Sequence, residues 1–347
     1  MKKLQRYRLN LDEWLPDRLQ KNLERTPVTV CIAAICRNIV PTEAGLMVVG
    51  AADRMLTGGE IEFEPKIPNK ILHFSSAITG MFAGDFGLQT EVVRKVLPVV
   101  KERIAAEPAN WWAVSDIAEM YAQAYKGSHL KRAENAVLAP LGLDINSFYA
   151  KQKGMDSELV KQIASKLAQF HSPEVEAIFC GLDLTGAHIY IVDNSANVSC
   201  HDVVGFAAIG AGYWHADSQF MFANHTPYKS FAETLLLTYS AKKRAEVAPG
   251  VGSDTDMFSI GPLLGNHIPN MAPHVLEKLN QMYLFSEKKK HQADEKAQIE
   301  IGKYIDGIIK KTAEQKKKQE TTSPSTTAPV PPSEQSPPSD DPTKTQP

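Results

Sequence analysis

Four residues in the first quarter of the chain carry side chains or backbone groups suited to chemistry. Thr29 opens an apolar run (TVCIAAIC), Asp53 ends a second (GLMVVGAAD), Lys70 sits in a third (PNKILHF), and Gly84 closes a fourth (GMFAGD). A threonine hydroxyl attacks a carbonyl only when a base takes its proton, and a free α-amine on the same residue can do so. Such an amine titrates near ~7.7–8.0, so it is partly unprotonated at neutral pH. A lysine pointing into a sheet needs a counter-charge, because an isolated buried ammonium is costly. Asp53 is the acidic candidate. A Lys70–Asp53 pair beside Thr29 would lower the pKa of the hydroxyl and stabilise the charge that develops during attack. Gly84 can bring its backbone N–H close to substrate and serve an oxyanion. Each residue also has a plain structural use: threonine favours strands, Asp53 can begin a turn, Lys70 can be exposed at a strand end, and Gly84-Asp85 can make a turn with Asp85 as a helix cap.

The elements that would hold these residues follow from the pattern of apolar positions. From Val28 to Gly84 the chain alternates short apolar runs with turn residues at Thr57-Gly58-Gly59 and Pro68-Asn69. Several runs are apolar on both alternating sets, which predicts strands covered on both faces. Helical spacing follows in 88–104, which contains Pro98, in 114–125, and in SELVKQIASKLAQF within 127–172. Strands return in VEAIFCGLD, AHIYIVD and GFAAIGAG, the first two joined through Leu184-Thr185-Gly186 as a hairpin. Residues 231–244 read as a helix, 256–260 as a strand and 275–313 as one or two polar helices. This order predicts an α+β layered domain of two sheets face to face with helices outside, with a mixed α/β parallel sheet as the competitor.

At 347 residues the chain can bury a large core, and a net charge of −2 gives no reason to expect nucleic acid or an anionic membrane as partner. The four cysteines (31, 36, 180 and 200) match no zinc or redox spacing and read as buried, reduced thiols. Cys31 and Cys36, an odd number of residues apart in one strand, would face opposite ways. His201, His215 and His225 share no ligand spacing and read as surface or capping residues, so no metal or cofactor is expected. Gly210-Ala211-Gly212 lacks the lysine-serine of a phosphate loop. No Sec signal and no membrane-spanning apolar run is visible, which makes the cytoplasm the expected location. Residues 1–28 form a polar leader or N-terminal arm. The Ser-, Thr- and Pro-rich segment 319–347, with Pro331-Pro332 and Pro337-Pro338, is expected to be disordered.

In order and spacing, Thr29 to Ala33, Ala51-Ala52-Asp53-Arg54, Lys70 and Gly84 resemble proteasome-type subunits of the N-terminal nucleophile hydrolases. In that family a Thr-Thr-Val-Gly strand leads to one ending Ala-Ala-Asp-x-Arg. The later AIFCGLDLTGAHIYIVD is similar to the family's Gly-Trp-Asp…Gly-Pro-x-Leu-Tyr-x-Val-Asp hairpin. AAIGAG is similar to its Gly-Ser-Gly segment, and FAETLLLTYSAKKRA to the helix after it. The resemblance implies a four-layer αββα sandwich over residues 29–262, a helical extension over 263–318, and a threonine-type peptidase or amidase. Thr29 would be nucleophile and base, Asp53 and Lys70 its electrostatic support, and Gly84 the oxyanion donor. It also implies a homo-oligomer built as a ring or stacked rings, acting on a peptide substrate. An ATPase partner is left open.

The chain departs from the family at four places: Ala211 replaces the family serine, the supporting Asp-x-x-Ser has no match within 248–253, Val28 stands where a glycine precedes the threonine, and 127–172 is long. A slip of two in the first strand would put Cys31 or Pro27 in the first position. A non-catalytic α-like subunit, with residues 1–28 as an arm on a ring face, is the second reading. A binding module tethered by its Pro-rich tail is the third.

Overall fold

The computed structural model describes residues 29–38, 45–58, 61–66, 70–107, 112–262 and 267–321, so 1–28 and 322–347 lie outside the described residues, while 319–321 of the expected disordered tail end the last helix instead. The first strands are β1 (Cys31–Arg37), β2 (Leu46–Asp53), β3 (Leu56–Gly58), β4 (Ile61–Phe63), β5 (Ile71–His73) and β6 (Ile78–Gly84). Helices α1 (Phe86–Ala106), α2 (Val114–Val137), α3 (Ile145–Lys151) and α4 (Ser157–Ala168) follow. Then come β7 (Val175–Asp183), β8 (Gly186–Val192), β9 (Val198–Cys200) and β10 (Phe206–Ile209). The rest is α5 (Tyr213–Phe222), α6 (Phe231–Ala245), β11 (Thr255–Ile260) and α7 (Pro273–Thr321).

The strands form an antiparallel sheet in the order β10-β1-β2-β11, another in the order β5-β6-β7-β8-β9, and the small pair β3-β4. Every pairing among the described strands is antiparallel, so the parallel-sheet competitor is excluded and the chain is mixed α+β. The period-2 rule assigns the faces. Cys31, Ala33 and Ile35 pack with Met81, Ile178, Cys180 and Ile189 in a core shared by the two large sheets. The alternate set Val30, Ile32 and Ala34 packs on Ala216, Phe220, Ala241 and Ala245 of α5 and α6. On the second sheet, Val175, Ala177 and Phe179 pack on Leu88, Val92 and Tyr121 of α1 and α2. Doubly apolar strands thus have apolar partners on both sides.

Asp85 caps α1 by accepting a hydrogen bond from Leu88 N (2.7 Å), and Pro98 is carried inside the helix without splitting it. The second helix runs to Val137, past the end expected at Tyr125. The long segment that follows folds as α3 and α4 around Leu138, Phe148 and Ile163. Cys31 and Cys36 join different clusters, as their odd spacing requires. Cys200 corrects the expectation of four buried thiols: it ends β9, the edge strand of its sheet, and is exposed. His225 corrects another: it is buried, with Nε2 against Ile35 O at 3.0 Å.

The first compact unit ends at Phe285. It takes in Met271, Val275, Leu276, Leu279 and Tyr283, which pack on Met47, Val49 and Tyr239. In the second unit the rest of α7 is largely polar and exposes Ile301, Tyr304, Ile305 and Ile308 at helical spacing. No described helix is long and apolar enough to cross a membrane.

Asp217 on α5 has a buried Oδ1 with no hydrogen-bond partner among the described residues, and burial raises its pKa from 3.8 to about 6. Between those values the native state holds more protons than the unfolded chain, so this carboxyl's contribution to stability falls as pH rises through that window. Asp217→Asn should therefore raise unfolding stability by about 1–2 kcal/mol at pH 8, allowing for partial solvent screening, and give no gain near pH 3.5. Urea melts at the two pH values check this, and an equal effect at both would contradict it.

Candidate active site

Strand register brings Thr29 and Asp53 together. Cys31 pairs with Ala52, so the next step outward sets Val30 beside Asp53, and Asp53 N donates to Val30 O at 3.2 Å. Lys70 comes from the other sheet. It stands one residue before β5, and its carbonyl accepts from Phe82 N at 3.3 Å. Its side chain then crosses to the first sheet, where Nζ donates to Asp53 Oδ1 (2.7 Å) and to Thr29 Oγ1. The Thr29 hydroxyl donates to the same Asp53 oxygen at 2.5 Å. All three side chains are buried, with Thr29 at 1%, Asp53 at 0% and Lys70 at 6% exposure.

Asp53 is the most heavily bonded group of the site. Besides Lys70 and the hydroxyl, Oδ1 accepts from Val30 N (3.0 Å), and Oδ2 accepts from Met55 N and Gly252 N (3.0 Å each). A carboxylate out of water needs such donors to offset lost hydration. The arrangement can hold a threonine oxygen between an ammonium and a carboxylate. An ammonium at that oxygen favours its ionised form, as nucleophilic attack requires. Among the described residues no group of three His, Cys, Asp or Glu is placed to hold a metal ion.

Of the four residues expected from the sequence, the structure joins Thr29, Asp53 and Lys70. Gly84 is set by its own backbone: its φ of +103° lies in the left-handed region, and a Cβ there would meet Glu174 O at 2.2 Å. It ends β6 opposite Val175, two residues after Phe82, whose carbonyl accepts from Cys31 Sγ at 3.3 Å. Cys31 does not share Thr29's place on the ion pair. Its thiol is pushed up to about 12, mainly by burial, which opposes thiolate formation. Pro27 lies outside the described residues.

Two charged residues at this site were not singled out from the sequence. Lys242, with no exposed surface, donates from Nζ to Glu246 Oε1 (2.6 Å) and to the carbonyls of Gly252 and Ser253 (2.8 Å each). It thereby fixes the loop whose Gly252 N–H holds Asp53. Burial drives its pKa down and Glu246 opposes that shift. The available signal was a lysine within the buried stripe Thr238, Ala241, Lys242 and Ala245 of α6. Glu176 is the other: its Oε2 accepts from Gly210 N at 3.0 Å. In VEAIFCGLD it falls on the same alternating set as the buried Ile178 and Cys180, which was its signal.

A pocket of about 410 Å³ lined by Arg54, Tyr239, Lys243, Ser253, Met271 and Asn280, among others, lies next to this loop. Thr29 and Lys70 do not line it, so it is not where a substrate would meet the hydroxyl. Neither a protein-family model nor a curated protein sequence matches this chain.

Removing the cation should expose the cost of burying Asp53. Lys70→Met leaves a buried carboxylate with its hydroxyl and backbone donors but without its ion-pair partner, and should cost about 3 kcal/mol, the low end for a broken buried pair. The double variant with Asp53→Asn should recover part of that loss. Urea unfolding of the single and double variants measures both effects. A loss under about 0.5 kcal/mol, the size seen for exposed pairs, would contradict the burial described here.

Proposed function

We propose that this chain is a threonine-type hydrolase of the N-terminal nucleophile class, of proteasome type, that cuts peptide or other amide bonds with Thr29. The observation that carries this reading is the Thr29 hydroxyl held by both members of a buried Lys70–Asp53 pair. A threonine that merely starts a strand has no need of a buried ion pair at its oxygen. The antiparallel sheets with a shared core and helices packed on their other faces support the four-layer αββα reading over 29–262. A ring-like homo-oligomer acting on peptides, and a cytoplasmic location, belong to the same proposal.

In the uncut chain the Thr29 nitrogen is an amide and has no basic lone pair. The groups at the hydroxyl are then Asp53 and Lys70. The oxygen would attack the carbonyl carbon of Val28, the C–N bond would break, and residue 28 would be left as an ester on Thr29 with the amine freed. Water would hydrolyse the ester and release the leader. The freed α-amine then serves as base for attack on substrate, with the Gly84 N–H in the oxyanion role that the resemblance implies. The β-branched Val28 crowds its own carbonyl, so self-cleavage is expected to be slow.

The non-catalytic, α-like reading is favoured by Ala211, which offers no hydroxyl near the future amine, and by the burial of Thr29. One experiment separates the two. Intact mass and N-terminal sequencing of protein from its own cells should show a chain beginning at Thr29, with amidase activity. Thr29→Ala should remain uncut and inactive. Active wild-type protein that still begins at Met1 would rule out the mechanism, and uncut, inactive wild type would favour the α-like reading.

A further inference from the structure

Thr29 is gripped on its backbone side by the turn between β10 and α5. Gly212 N donates to Thr29 O at 3.2 Å, and Tyr213 N closes the turn on Gly210 O at 3.0 Å. Gly210 lies directly against Thr29: its φ is +82°, and a Cβ on it would stand 2.5 Å from Thr29 O and 2.6 Å from Thr29 Cγ2. The middle residue, Ala211, has no polar side chain, so the turn reaches Thr29 only through backbone groups. What holds the turn from outside is Glu176, whose Oε2 accepts from Gly210 N at 3.0 Å.

Glu176 belongs to β7, opposite Ala83, on the sheet that also supplies Lys70. A carboxyl turned toward the space between two sheets is an expensive side chain to keep there. Burial raises its pKa, the Gly210 N–H pulls it down again, and Glu174 and Asp193 add to the rise. An apolar residue would fill the place more cheaply, yet it would leave the buried Gly210 N–H without this acceptor.

We propose that Glu176 is a positioning residue for Thr29: through its hydrogen bond to Gly210 it locks the 210–212 turn against the Thr29 backbone and so fixes the hydroxyl on the Lys70–Asp53 pair. This rests on the reading of Thr29 as nucleophile. The second sheet then acts on Thr29 from two sides, with Lys70 on the hydroxyl oxygen and Glu176, one residue removed, on the carbonyl and methyl. Small displacements of a nucleophile are costly to rate, so a residue that never touches substrate can still govern turnover.

Three variants of the full chain test it: Glu176→Ala, Glu176→Met, which keeps the bulk but not the acceptor, and Glu176→Gln, whose amide oxygen can still accept from Gly210 N. Amide exchange followed by NMR should speed up about tenfold or more at Gly210 and Gly212 in the Ala and Met variants and return close to wild type in Gln. In the processed enzyme, kcat should fall about tenfold or more with KM little changed, again with recovery in Gln. Unchanged exchange at Gly212 in both the Ala and Met variants, or unchanged kcat, would overturn the proposal. Wild-type protein that neither processes nor turns over sinks the hydrolase reading instead, and the exchange data alone then decide whether Glu176 positions Thr29.

Discussion

A carboxylate with no exposed surface, Asp53, is the constraint on which the rest of this structure depends. Burying it forfeits its hydration, and the chain answers with five donors: an ammonium, a hydroxyl and three backbone N–H groups. These donors come from separate parts of the sequence. Thr29 and Val30 lead into β1, Met55 follows β2, Gly252 precedes β11, and Lys70 arrives from the opposite sheet. The two sheets must therefore meet in one register for the charge to be satisfied. A hydrophobic contact tolerates a slip, whereas this cluster does not, because a one-residue shift would turn Asp53 to the other face of its strand.

The same requirement explains the outer ring of residues. Lys242 has no place in direct contact with Thr29, but it pins the carbonyls of Gly252 and Ser253 and so fixes the N–H that meets Asp53. Arg54, next in sequence to Asp53, makes a bidentate bond to Asp256 and ties the ends of β2 and β11 together. These groups act by holding backbone in place. The pattern suits a site in which a weak nucleophile is activated by fixed charges rather than by mobile side chains.

Much of this was legible in the sequence because it rests on local periodicity. The doubly apolar runs at 31–36 and 47–52 read as strands with cover on both sides, and VEAIFCGLD-LTG-AHIYIVD read as a hairpin. The Thr29, Asp53 and Lys70 grouping was legible through spacing and resemblance together, since none of the three is distinctive alone. Lys242 and Glu176 were harder to see: their roles depend on which loop lies over them, and loop contacts carry no period. The segment 127–172 showed the helix SELVKQIASKLAQF but neither α3 nor how far the second helix would run, because its polar middle offers few apolar markers. His225 and Cys200 went the other way, since one buried contact to Ile35 and one edge-strand position settle their exposure.

The functional account stands or falls on whether the Thr29 oxygen is a nucleophile. Treating the purified protein with a β-lactone, which acylates activated hydroxyls, and mapping the adduct by peptide mass spectrometry addresses that directly. The account predicts a single acyl adduct on Thr29 of the chain that begins there, absent when Lys70 is replaced by methionine. No adduct on wild-type protein, or an adduct at another residue with Thr29 unmodified, would contradict it.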